Sequence, residues 1–176
     1  MYDHPGRSHG VQPDVVRSNV LRRYPGFIPA DVVYGSGPGF AETYFSDDPG
    51  APYNPNRYFG RDTVELRRNL PQPEQEGVLK GELLHFMPRN PKFSAARDGF
   101  MGSLSQRQLS ILRDIYKNHV KRFGEDRGFD KWLEYTGKDM LVRGYLSPDR
   151  NDEFRPFYEP QNKPFLEDMM RVISGG

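Results

Sequence analysis

The chain has no cysteine, which excludes disulfides, thiolate metal sites and a cysteine nucleophile. It has no Asn-x-Ser/Thr acceptor for glycosylation. Long apolar runs are missing as well: the longest aliphatic stretches, such as Met140-Leu141-Val142, span two or three residues. A bilayer-crossing helix needs roughly 20. Charge of one sign is not in excess, since 25 basic residues face 24 acidic ones. A chain whose main partner is nucleic acid or an anionic membrane usually carries a basic surplus, because phosphate neutralisation supplies most of the affinity. The balance here weighs against nucleic acid. Aliphatic core is scarce too: Leu, Ile, Val and Phe make up 40 of 176 residues, just above the roughly 20% below which disorder is the default. Residues 1–15 hold Asp3, two histidines and two prolines and lack an apolar stretch, so they read neither as a secretory signal nor as an acid-free transit peptide. These absences point to an intracellular protein.

Proline, glycine, aromatics and arginine are what the chain does have. The first 102 residues carry 12 of its 16 prolines and 12 of its 18 glycines. They are threaded through stretches such as Arg23-Tyr24-Pro25-Gly26-Phe27 and Tyr44-Phe45-Ser46-Asp47-Asp48-Pro49-Gly50-Ala51-Pro52-Tyr53. Proline fixes φ and removes a backbone donor, and glycine is entropically costly in regular elements. Long strands or helices are therefore not expected over this region. Arginine outnumbers lysine 18 to 7, and Arg, Tyr, Phe, Trp and Met are the types enriched at protein interfaces. The expected fold is mainly α with extensive irregular structure. An extended Pro/Gly/aromatic-rich arm with short helices covers 1–102, and a small helical unit covers 103–176.

Within the arm, a short helix is expected over 13–23, ending where Pro25 disfavours helix at Tyr24. Residues 25–60 read as loop, with Ile28 and Val32-Val33-Tyr34 able to add a brief strand, a partner's sheet edge among the places for it. Asp62-x-x-Glu65 has capping-box character, so Val64 to Leu70 reads as two helical turns. Glu74 to Phe86 is a further helix, weakened by Gly77 and Gly81, and 87–102 returns to loop. The strongest element follows: Ser103-x-x-Gln106 as a capping box, then Leu109, Leu112, Ile115, Tyr116, His119, Val120 and Phe123 in one stripe, with Gly124 as a left-handed cap. Shorter helices are expected over 129–136, ending at Gly137, and over 138–146. Pro164 opens a last helix with Leu166, Met169, Met170 and Ile173 on its apolar face, serving either core closure or docking.

No catalytic or cofactor motif survives inspection. Gly35-Ser36-Gly37-Pro38-Gly39-Phe40 has Phe40 where a dinucleotide loop needs its third glycine. Asp149-x-Asn151-Asp152-Glu153 opens like a calcium loop but has Phe154 at the sixth position and Pro160 at the twelfth. His4, His9, His85 and His119 lack the spacing of a helical metal pair. His119 reads as a packing residue. No catalytic, cofactor-binding or metal-ligating residue is expected.

The candidate site residues are interface anchors: Tyr24, Phe27, Phe40, Tyr44, Phe45, Tyr53, Tyr58 and Phe59 as aromatics filling pockets on neighbouring subunits, with Arg23, Arg57 and Arg61 pairing to acids. The competing reading folds these aromatics back onto the chain's own helices as core. The expected function is a non-catalytic accessory subunit of a large assembly, bridging several protein subunits. An organellar machine is its natural home, in particular a mitochondrial respiratory or ATP synthase complex. Two alternatives stay open: an accessory protein of a ribosome or other ribonucleoprotein, and a small enzyme or ligand-binding module whose site assembles only in three dimensions.

Overall fold

The structure, a computed structural model, describes residues 12–35, 41–46, 61–67, 70–146 and 152–176. They are mostly helical, with one small three-stranded sheet. The chain divides into two compact units, one formed by residues up to Pro91 together with Arg171–Gly176, the other by Lys92–Met170. No described helix is long and apolar enough to cross a membrane.

In the first unit, α1 spans Pro13–Arg23 and has its proline in the first turn, where no amide partner is needed. Val16 and Val20 lie one turn apart and are buried. The strands β1 (Asp31–Gly35), β2 (Ala41–Tyr44) and β3 (Thr63–Arg67) follow. The sheet order is β1-β3-β2, with β1 parallel and β2 antiparallel to β3. Val64 pairs in register with Val32 on one side and Thr43 on the other.

The central strand takes residues 64–67 of the segment expected to be helical over 64–70. Apolar Val64 and Leu66 alternate with Thr63, Glu65 and Arg67, a period-two pattern that the β-branched Thr63 and Val64 favour, and as the central strand β3 is buried on both faces from Thr63 to Leu66. Asp62 does not cap a helix. Its carboxylate instead accepts the Ser46 amide at 2.9 Å and the Arg89 guanidinium at 2.6 Å. The residues between 25 and 60 expected as loop also contribute β1 and β2, so Val32-Val33-Tyr34 joins the chain's own sheet.

The Val64 face of the sheet packs on α2 (Gln72–Leu83). Two polar contacts fix that packing: the Tyr34 hydroxyl donates to Gln75 Oε1 at 3.3 Å, and Thr43 Oγ1 donates to Glu82 Oε2 at 2.6 Å. α2 buries Leu79 and Leu83 and passes into a 3-10 segment, Leu84–Arg89, that buries Leu84, Phe86 and Met87. The last residues of the chain close this core. Ile173 is fully buried, and the Gly26 amide donates to its carbonyl at 2.9 Å. A Cβ at Gly26 would lie 1.7 Å from the Val172 carbonyl oxygen, so only glycine permits this approach.

The second unit opens with α3, Pro91–Gly102, in place of the loop expected over 87–102. Phe93, Ala96 and Phe100 are buried along one side, the i, i+3, i+7 spacing of a helix. Then come α4 (Gln106–Phe123), α5 (Phe129–Trp132), a π-helical turn (Leu133–Gly137), α6 (Lys138–Leu146), a 3-10 turn (Asp152–Phe157) and α7, Lys163–Ile173, whose last residues belong to the first unit. The expected stop at Gly137 is absent: the chain runs through the π-helical turn into α6 without a break. A Cβ at Gly137 would sit 2.9 Å from the Trp132 ring, so the glycine makes room for the indole. On α7, Leu166, Met169 and Ile173 are fully buried, while Met170 is half-buried.

Candidate functional site

α4 is fastened at both ends. Its cap is Ser105 with Gln108, two residues beyond the expected Ser103 with Gln106. Ser105 Oγ accepts the Gln108 amide at 3.1 Å, and Gln108 Oε1 accepts the Ser105 amide at 2.8 Å. Gln108 is fully buried and its Nε2 donates to Asn162 Oδ1 at 2.7 Å and to the Pro156 carbonyl at 2.9 Å. Asn162 donates in turn to Ser103 Oγ at 2.8 Å. Every polar group of Gln108 thus has a partner, which lets an amide sit in the core without the usual penalty. At the other end Gly124 takes the left-handed conformation, φ 71°, and its amide donates to the Val120 carbonyl at 2.8 Å. Lys121 and Arg122 in the last turn complement the helix dipole.

Beyond Gly124 the loop is pinned by a hydroxyl–carboxylate pair. The Tyr116 hydroxyl donates to Asp126 Oδ1, and the Gly128 amide donates to both, at 3.0 Å and 3.1 Å. The bond from Tyr116 holds the Asp126 carboxyl below the usual carboxylate range, and the same bond raises the Tyr116 hydroxyl. Gly128, φ 88°, turns the chain into α5, where the Phe129 and Trp132 rings stack at 6.1 Å. Tyr116 packs on Trp132 at 5.5 Å, and His119 lies 4.7 Å from Phe123 and 6.1 Å from Trp132. A shallow recess results, lined by Tyr116, His119, Lys131, Trp132, Tyr135 and Thr136. The Glu125–Arg127 ion pair, 3.6 Å, lies at this recess.

The apolar stripe of α4 loses cover towards this end. Leu112 is buried, Ile115, Tyr116, His119 and Val120 are half-buried, and Phe123 is 59% exposed. Tyr135, beside the recess, is 77% exposed. Outside the stripe, Arg113, Lys117 and Lys121 follow one another at four-residue intervals. A surface that pairs exposed aromatics with a cationic row can bind a partner through both apolar burial and charge.

The anchors expected from sequence that fall on described residues lie in the first unit. Phe27 is buried in the first unit, 3% exposed. Tyr24 packs edge-on against it at 5.8 Å and accepts a hydrogen bond from Lys80 Nζ at 3.2 Å. Phe45 packs on Phe86 at 4.9 Å with the Arg89 guanidinium 5.1 Å from its ring. Tyr44 donates to Glu42. Arg61, exposed, pairs with Asp31 at 3.6 Å, and Arg23 is exposed. Phe40, Tyr53, Arg57, Tyr58 and Phe59 lie outside the described residues, as do residues 36–40 of the Gly35–Phe40 stretch. His119 does pack within aromatic rings. The α4–α5 surface was present in the sequence as Trp132, Phe129 and the C-terminal part of the stripe, but there it reads as core.

No protein-family model matches the chain, and no curated protein and no solved structure matches it.

Proposed function

We propose that this chain is a non-catalytic subunit of a larger protein assembly and that the α4–α5 surface is one of its docking faces. The observation that carries the reading is the uncovered end of the α4 stripe, where Phe123 and Tyr135 stand 59% and 77% exposed beside the cluster of Tyr116, His119 and Trp132. Isolated exposed apolar residues are ordinary. Two large aromatics flanking a recess are the kind of anchor that dominates interface energetics. The richness in Arg, Tyr, Phe and Met across the whole sequence supports the same reading. The proposed assembly is organellar, a mitochondrial respiratory or ATP synthase complex, by association with the large machines that use such accessory chains, with contact through a peripheral surface.

The test is the native mass of the protein in a mild extract, with co-migrating chains identified by mass spectrometry. Migration in a much larger particle supports the subunit reading and names the neighbours. Migration near 20.4 kDa, unaccompanied, would overturn it. Phe123→Ala combined with Tyr135→Ala should release the chain from the particle while leaving its helical circular dichroism unchanged.

A further inference from the structure

The outer face of α4 carries a row of cations that form no ion pair among the described residues. The helix holds five cationic residues, Arg107, Arg113, Lys117, Lys121 and Arg122, against one acid, Asp114. Arg107 is paired with Glu159 at 2.7 Å. Arg113, Lys117 and Lys121 form no ion pair among the described residues, and Asp114 pairs with none of them. Their four-residue spacing stacks three like charges along about 12 Å of helix, an arrangement that disfavours the helix through repulsion between neighbouring turns. The helix dipole accounts for Lys121 at the C-terminal end. Stacking accounts for the placement of Arg113, whose guanidinium lies 5.0 Å from the Phe129 ring. Neither cancels a charge, and Lys117 has no such role. The capping box and the Gly124 cap let the helix hold its form in spite of the repulsion.

We infer that this face receives an acidic segment of a partner protein, with carboxylates spaced to meet Arg113, Lys117 and Lys121. This rests on the subunit reading above and specifies its chemistry. Charge complementarity selects the occupant. A nucleic acid or lipid surface presents continuous negative charge, and Asp114 within the row, together with Glu125 and Asp130 close by in sequence, opposes that. A peptide can place its carboxylates opposite the three cations and leave the acids uncrowded. The cations of such a face set encounter and register.

The test compares the full-length chain with Lys117→Glu and Lys117→Gln. The glutamate variant puts a carboxylate four residues from both Arg113 and Lys121, so the helix gains two favourable pairs. Its melting temperature should hold or rise, which separates lost docking from lost folding. In native extracts Lys117→Glu should reduce the particle-bound fraction about tenfold, as expected when attraction becomes repulsion at an interface, and Lys117→Gln should reduce it less. If wild type and both variants co-migrate equally with the particle, the acidic-segment inference falls and the subunit reading stands. If wild type itself migrates alone, both fall. Retention of the chain by single-stranded DNA or by phosphatidylserine-containing vesicles, lost in Lys117→Glu, would assign the row to a polyanion and overturn the inference.

Discussion

A methyl group at Gly137 would meet Trp132 Cζ3 at 2.9 Å and Leu133 Cδ1 at 3.1 Å. Alanine would gain about 1 kcal/mol of helix propensity over glycine, but the indole beneath it is buried and has little room to shift. Gly137→Ala is therefore expected to destabilise the second unit by about 1–3 kcal/mol, measured by urea unfolding followed through Trp132, the only tryptophan. The Tyr116–Asp126 pair predicts a pH window for the same surface. Asp126 is depressed by the Tyr116 bond, so its contribution is present above the unfolded carboxylate pKa of about 4 and fades as pH falls through the lower, folded value. Tyr116 is raised by that bond, so its contribution is present below about pH 10 and fades as pH rises through the higher, folded value. Trp132 emission should accordingly change at both the acid and the alkaline extreme. Asp126→Asn should remove the acid step, and an unchanged acid step in that variant would refute the assignment. In the first unit, burial alone would raise the Asp62 carboxyl, but the Ser46 amide and Arg89 together outweigh it and hold it low. Stability there should also decline only as pH falls below the ordinary carboxylate range.

Among the elements, α2 and α4 give opposite predictions. Gly77 lies inside α2, and a Cβ there would have nothing within 4 Å. Gly77→Ala should stabilise the first unit by about 1 kcal/mol, read as a shift in the denaturant midpoint at constant slope. Gln108→Leu should do the reverse. It takes the Gln108 partner from the Ser105 amide and the Pro156 carbonyl, and one of two donors from Asn162 Oδ1, which keeps the Glu159 amide; the cost is about 1–3 kcal/mol, and amide hydrogen exchange should show the first turn of α4 opening. The elements also differ in how plainly their sequences announce them. α1, α4 and α7 were readable because Val16 and Val20, the Leu109–Phe123 stripe, and Leu166, Met169 and Ile173 each repeat at helical spacing beside Pro13, Gly124 and Pro164. β3 was not, because Asp62-x-x-Glu65 imitates a capping box while only Val64 and Leu66 carry the alternation. Pairing with β1 and β2, a non-local event, decided it. α3 was hidden by Pro88, Pro91, Gly99 and Gly102. Yet a Cβ on Gly99 would come within 2.5 Å of the Phe165 ring, so that glycine serves close packing within a helix. The α4–α5 surface was legible as residues but not as a surface. How much of the stripe another element covers depends on tertiary packing, and no local pattern records it.

At the scale of the molecule, the described residues before 103 include a unit with a core of its own. Its described part supplies a sheet, α1 and α2 around a shared core, with Val16, Val20, Phe27, Val32, Val64, Leu66 and Leu79 all buried. Removing residues 1–60 would take α1, β1 and β2 away from that core. The truncated chain should therefore lose the first unit's protection from hydrogen exchange and keep that of α4 and α6. Loss of assembly in such a deletion would not separate docking from unfolding, and the point changes at Phe123, Tyr135 and Lys117 do. The first unit is also discontinuous, since its core is completed by Ile173 against Gly26 with residues 92–170 intervening. That arrangement sets an order of events during translation. The sheet and its helices leave the ribosome early, then wait while the second unit is made, roughly 4–16 s at the usual ~5–20 residues per second, before the side chain that seals them arrives. A chain cut short at residue 170 would therefore show its defect around Gly26 and Phe27, near the opposite end of the sequence.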